Sequence, residues 1–172
     1  MIGELIALIL SNFTVFCCLI WLLVSTVAVI RMPKPRQTHD VAEHFLGWFC
    51  FIVMGIYLIY NFIGHVFYGE MLAKFIGWPN SPFQAEVGYA SLGFGVVGLF
   101  AYRGGQGIRF AAITAPAMFL WGAACGHVYQ MITAGNFAPG NAGSVFWTDI
   151  IVPLVGFAVF YWRYGTVLPR KG

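Results

Sequence analysis

Long apolar runs alternate with short polar segments along this chain. No Asp, Glu, Lys or Arg occurs in the runs 5–30, 44–69, 87–102 and 110–148. A helix needs about 20 predominantly apolar residues to cross a bilayer. Gly, Pro and Asn at 134–143 form a turn-rich segment that divides the last run, and a further apolar run ends near Trp162. The pattern predicts five membrane-spanning helices, at about 5–30, 43–68, 83–102, 109–132 and 145–163.

Composition supports the same architecture. Of the 172 residues, 60% are hydrophobic and only 9% are charged, whereas soluble domains carry about 25% charged residues. So few charges cannot cover the surface of a soluble protein of this size, which excludes a soluble enzyme and a nucleic-acid binder. The sequence predicts an all-α integral membrane protein, with residues 1–172 forming a single transmembrane domain in the lipid bilayer.

The basic residues predict the orientation. All lysines and arginines except Lys74 fall on one side of the predicted spans, at Arg31, Lys34, Arg36, Arg103, Arg109, Arg163, Arg170 and Lys171. Because cytoplasmic loops carry an excess of Lys and Arg, the N-terminus is predicted to lie outside and the C-terminus in the cytoplasm. The predicted location is the cell inner (plasma) membrane, which the chain crosses several times.

An internal repeat is the most informative feature. The second span ends with Gly-His-Val-Phe-Tyr around His65, and the fourth ends with Gly-His-Val-Tyr-Gln around His127. After each comes a loop with Pro and Asn, and then a carboxylate that opens the next span, Glu86 or Asp149. The two pairs of spans run in the same direction. They predict a four-helix bundle built from two parallel helix-pair repeats, with an extra first helix.

The repeat places two histidines and two carboxylates at one depth. Ionisable groups inside a membrane usually face the bundle interior and mark a functional site. His65, Glu86, His127 and Asp149 form a workable ligand set for zinc, copper or iron, and the two histidines could also hold a haem. Polar neighbours that could orient these ligands are Asn61, Gln84, Tyr89, Gln130 and Asn141. The alternative is that His65 pairs with Glu86, and His127 with Asp149, and that these pairs only tie helices together.

A second polar group is predicted at the cytoplasmic end. Glu43 and His44 begin the second span there, and Arg103 and Arg109 border the loop between the third and fourth spans on the same face. Glu43 is expected to pair with Arg103 or Arg109 across this face.

Small residues predict the helix contacts. Gly88, Ser91, Gly95 and Gly98 form one face of the third span, and Gly122 with Gly126 forms a GxxxG motif in the fourth. Such faces let helix backbones approach closely. Spans three and four are therefore expected to touch, inside one bundle or across protomers, and the same faces suggest a homo-oligomer or other membrane subunits as partners. Interfacial tryptophans such as Trp78 are expected to lie at the membrane boundary.

The order of Gly-His helix end, Pro/Asn loop and acidic helix start resembles an uncharacterised family of small bacterial membrane proteins with several spans. The resemblance covers about residues 40–165 and implies no activity, and the sequence identifies no catalytic residue. Three functions remain open: a metal or haem site for redox or ligand binding, an accessory subunit of a larger membrane complex, and a pocket for a lipid or quinone.

Overall fold

The computed structural model describes residues 2–165 as helices joined by short loops, with no strand in that range. The all-helical prediction is therefore confirmed. Arg170 and Lys171, which contribute to the predicted orientation, lie outside the described residues. The helices are α1 (Ile2–Ser11), α2 (Phe13–Arg31), α3 (Thr38–Phe67), α4 (Gly69–Ile76), α5 (Phe83–Ala101), α6 (Gln106–Ala134), α7 (Pro139–Ala142) and α8 (Ser144–Tyr164).

Four segments in the described part of the chain are long and apolar enough to cross a membrane. They are α2, α3, α6 and the combined α7–α8 segment Pro139–Tyr164. The remaining predicted span corresponds to α5, a helix of 19 residues whose mean hydropathy is lowered by Gln84, Glu86 and its glycines. The predicted first span is interrupted near Asn12, whose side chain donates a hydrogen bond to the Leu8 carbonyl, so that α1 and α2 are separate helices.

Three of the long helices carry a feature that is unusual in a helix interior. The middle of α3 is π-helical from Phe49 to Ile56, and most of its residues pack into the core. Buried prolines lie inside α6 at Pro116 and inside α8 at Pro153. A proline has no N–H to donate, so Pro153 leaves the backbone carbonyl of Asp149, one turn earlier, without its helical partner.

The small-residue face of α5 packs against α3. A Cβ atom built on Gly98 would lie 2.6 Å from the backbone carbon of Met54, and one on Gly95 would lie 3.1 Å from the Gly55 carbonyl oxygen. Helices α5 and α6 do contact each other, as expected. Within one chain the small-residue faces do not form this contact: the α5 face is occupied by α3, and Gly122 on α6 has no neighbouring atom within 4 Å of an added Cβ. A contact through these faces across protomers stays a prediction.

Candidate ligand pocket

A cavity of about 550 Å³ lies between α3, α5, α6 and α8, at the end of the molecule that carries the loops after α4 and α6. We call it the outer pocket, after the predicted orientation. Apolar side chains such as Phe119, Leu120, Val87 and Ile76 form much of its wall. None of the lining residues that the structure describes is a lysine or an arginine. Its polar lining includes Tyr57, Asn61, His65, Ser81, Gln84, His127 and Asp149.

His127 is held at the pocket by a network centred on Asn141. The Asn141 amide nitrogen donates to the backbone carbonyls of His127 and Asn136, at 3.2 and 2.8 Å. Its Oδ1 must therefore act as the acceptor, and it accepts a hydrogen bond from Trp78 Nε1 at 2.8 Å. The same oxygen lies 2.8 Å from His127 Nδ1. The amide orientation fixes the imidazole tautomer, since Nδ1 must carry a hydrogen.

The loop that contains Asn141 is positioned by local turn chemistry. Helix α6 ends at Gly135, which has a φ of +61° in the left-handed region that favours glycine. Asn136 then donates to the carbonyls of Ile76 and Gly77, which ties this loop to the one after α4. Pro139 starts the short helix α7, as proline suits the first helical turn, and this helix presents Asn141 to His127.

Asp149 faces the other ring nitrogen of His127. The distance from His127 Nε2 to Asp149 Oδ2 is 3.6 Å, an ion-pair distance that is longer than a hydrogen bond. Only 4% of His127 and 3% of Asp149 is exposed. An unpaired carboxylate buried to this extent would be costly, so we expect the pair to carry one proton, on either the imidazole or the carboxyl group. Because the direct contact is long, both retain hydrogen-bonding capacity toward the pocket.

His65 reaches the same pocket from α3 with a simpler set of partners. Its Nδ1 is hydrogen-bonded to Gln84 Oε1, which can only accept, so Nδ1 carries the hydrogen and Nε2 is a lone-pair acceptor. Asn61, one turn earlier on α3, donates instead to Ser91 Oγ on α5 at 2.9 Å. Gln84 thus occupies an orienting position beside a histidine, whereas the Asn61 amide bonds to the neighbouring helix.

The remaining predicted ligand and its neighbours lie elsewhere. Glu86 is exposed and does not line the pocket. Tyr89 is also exposed, and its ring packs against Phe62. The backbone carbonyl of Gln130 accepts a hydrogen bond from the Asn136 N–H, and its side chain is half-buried.

Within the described residues, no three His, Cys, Asp or Glu side chains group closely enough to hold a metal ion. The four-ligand arrangement is therefore not supported, because α5 turns Glu86 away from the histidines.

Two features of the pocket were missed from the sequence. Trp78 was expected at a membrane boundary, but it lines the pocket with its ring centroid 5.4 Å from that of His127. Tyr57 lies two helical turns before His65 on the same face of α3, and this spacing is the sequence signal that points to it.

The predicted cytoplasmic cluster is built around Arg109. This side chain is 2% exposed and binds both carboxylate oxygens of Glu43, at 2.6 and 2.8 Å. It also donates to the carbonyls of Ala101 and Tyr102 and to the Tyr164 hydroxyl. Arg163 donates to Glu43 at 2.7 Å. Arg103 instead lies over the Tyr102 ring. With so many of its donors bonded to protein groups, Arg109 serves to join helices, not to bind a ligand.

Fold and site together define a helical membrane protein with a mostly apolar pocket between its helices. The chain belongs to a family of unknown function, DUF6790, whose model matches residues 11–167. No curated protein and no solved structure matches the chain.

Proposed function

We propose that this protein binds a small, neutral, mostly apolar molecule of the lipid or quinone type in the outer pocket. The observation that carries the proposal is the pocket itself: apolar walls of adequate size with a few convergent polar groups. Ligand sites are typically clefts of about 300–1,000 Å³ with this composition. A volume of about 550 Å³ falls within that range.

The charges around the pocket favour a neutral ligand. Its described lining has one carboxylate, Asp149, which lies beside His127, and no lysine or arginine. A phosphate or carboxylate ligand would therefore lack a free cation and would lie close to Asp149. Desolvating an unpaired charge is strongly unfavourable, so an anionic head group suits this pocket poorly.

The α6 side of the pocket supports entry from the lipid. Met118 and Gly122 line the pocket in the interior of a helix long enough to span a membrane, and Met118 is 55% exposed. At this depth an exposed apolar side chain faces lipid tails. A ligand dissolved in the bilayer would reach the pocket through this opening without crossing water.

We propose the five-span topology with this function. Helices α3 and α5 would form one parallel repeat and α6 and α8 the other, and each pair is in contact. The N-terminus would lie outside a bacterial inner membrane, with the outer pocket on the same side and Arg109 near the cytoplasm. At Gly140, only a reporter of the kind that is active outside the cytoplasm should give a signal. After Gly172, only a reporter of the kind that is active in the cytoplasm should give one. The reverse pattern would contradict this orientation.

Gly122 offers a direct test of ligand binding. No atom lies within 4 Å of a Cβ built there, so Gly122→Leu should extend into the pocket without striking the backbone. Gly93 on α5 is exposed, also has open space around it, and does not line the pocket, which makes Gly93→Leu a matched control.

The three proteins would be purified in mild detergent, extracted with organic solvent and compared by mass spectrometry. We expect a neutral small molecule at near-stoichiometric amounts in the wild type and in Gly93→Leu, and its loss in Gly122→Leu. Equal amounts in all three, or no such molecule in the wild type, would contradict the proposal.

A further inference from the structure

The two histidines present opposite hydrogen-bonding roles to one pocket. The His65 Nδ1 hydrogen is directed to Gln84, so its Nε2 can only accept a hydrogen bond. The Nδ1 hydrogen of His127 is directed to Asn141, and its Nε2 faces Asp149. The His127–Asp149 pair carries one proton, so one of the two facing atoms can donate a hydrogen bond and the other can accept one.

A ligand hydroxyl group satisfies the second position, the His127–Asp149 pair, better than a carbonyl group does. It can accept a hydrogen bond from the member of the pair that carries the proton and donate one to the other member, since the 3.6 Å separation leaves both incompletely bonded. At the first position, His65 Nε2, the ligand must donate a hydrogen bond, because this lone pair would repel a carbonyl oxygen. A ligand that matches both positions therefore carries a hydroxyl at each end.

The lining of the pocket favours a flat ring. Trp78 and Phe119 contribute aromatic side chains to it, while Gly122 and Ala123 add little bulk. Aromatic groups pack favourably in offset or edge-to-face arrangements. An aliphatic alcohol with a single hydroxyl, or a diglyceride, would donate at only one of the polar positions and would gain little from the rings.

We propose that the pocket is specific for a hydroquinone, the reduced form of a quinone, with one hydroxyl donating to His65 Nε2 and the other lying between His127 and Asp149. This inference rests on the proposed function and narrows it to one ligand class. The oxidised quinone carries only acceptors and places one of them against His65.

The test compares three probes of similar shape under anaerobic conditions: a short-chain benzohydroquinone, its benzoquinone and its dimethyl ether. Binding to detergent-purified protein would be measured by calorimetry. We expect the hydroquinone to bind at least about tenfold more tightly than the quinone or the dimethyl ether, because those two probes leave buried polar groups unpaired. Asp149→Asn and His65→Phe should reduce this preference. Glu86→Gln should retain it, because Glu86 is an exposed carboxylate outside the pocket.

The ratio between probes separates a lost preference from a misfolded variant. A variant that binds the dimethyl ether as the wild type does has kept its pocket, and only its preference is then compared. Equal binding of all three probes by the wild type would overturn the hydroquinone assignment and leave the proposed function standing. A wild type that binds none of them would overturn the assignment too, and the extraction experiment would then decide the proposed function by itself.

Discussion

The His65 end of α3 and the His127 end of α6 have nearly the same sequence but different surroundings. His65 is half-buried, and its described side-chain hydrogen bond is to Gln84. His127 is buried among Asn141, Asp149 and the ring of Trp78. The loop after α6 folds back through a short helix and places Asn141 on the histidine. The loop after α3 leads into α4, and the partner of His65 comes from the next long helix.

The same asymmetry occurs at the opposite end of each helix pair. Arg163 bonds to Glu43, whereas the corresponding Arg103 lies over the Tyr102 ring. Similar helix ends therefore do not make a symmetric site. His65 offers the pocket an acceptor, whereas the His127–Asp149 pair offers both a donor and an acceptor.

The largest expected effect is at Arg109, which joins the two halves by binding Glu43 on α3 from α6. Arg109→Ala should destabilise the protein by about 3–5 kcal/mol, because it leaves a partly buried carboxylate without its main partner. Unfolding in detergent, followed by tryptophan fluorescence, would measure this. Arg103→Ala is the control, and it should be close to neutral. Similar stability of both variants would contradict the role assigned to Arg109.

The second-largest effect on stability is expected at the amide side chains that orient the two histidines, Asn141 and Gln84. Asn141→Ala should reduce stability by about 2–4 kcal/mol, since it removes the hydrogen-bond partner of Trp78 and His127 and two further bonds to backbone carbonyls. Gln84→Ala removes one hydrogen bond and should cost about 1 kcal/mol. The same unfolding assay would compare them, and a larger loss for Gln84→Ala would reverse the comparison between the two histidines.

Alanine substitutions at glycines of α5 and α6 should differ in their effect on stability, because only the α5 glycine is closely packed. Gly98→Ala would push a methyl group into the α3 backbone and should cost about 1–3 kcal/mol. Gly122→Ala meets no atom and should be neutral or stabilise by up to about 1 kcal/mol, because alanine favours helix more than glycine does. Thermal unfolding of the two variants would show the difference. Destabilisation by Gly122→Ala would mean that the pocket is closed on that side.

The smallest effect is expected at Arg163. Its ion pair with Glu43 is partly exposed, and such pairs contribute at most about 1 kcal/mol. Arg163→Ala should therefore lower stability much less than Arg109→Ala in the same assay. An equal loss would contradict this order, because it would show that Arg163 contributes as much to the network as the buried arginine.

Hydropathy predicts the helices well because lipid exposure requires long apolar segments whatever their packing. It also places His65 and His127 near the same end, since both close long apolar helices. The rotation of each helix is not predictable in this way. Glu86 and Asp149 occupy equivalent sequence positions, yet one is exposed and the other buried, because α5 turns its small-residue face to α3. The pocket role of Trp78 depends on Asn141, which is distant in sequence.

The most direct measurement is to locate a bound ligand by anomalous scattering. Crystals of the wild-type protein grown with a brominated benzohydroquinone should show a bromine peak inside the outer pocket, beside Trp78 and Phe119, and Gly122→Leu crystals should lack it. Bromine found only on lipid-facing helix surfaces, or unchanged in Gly122→Leu, would contradict the account.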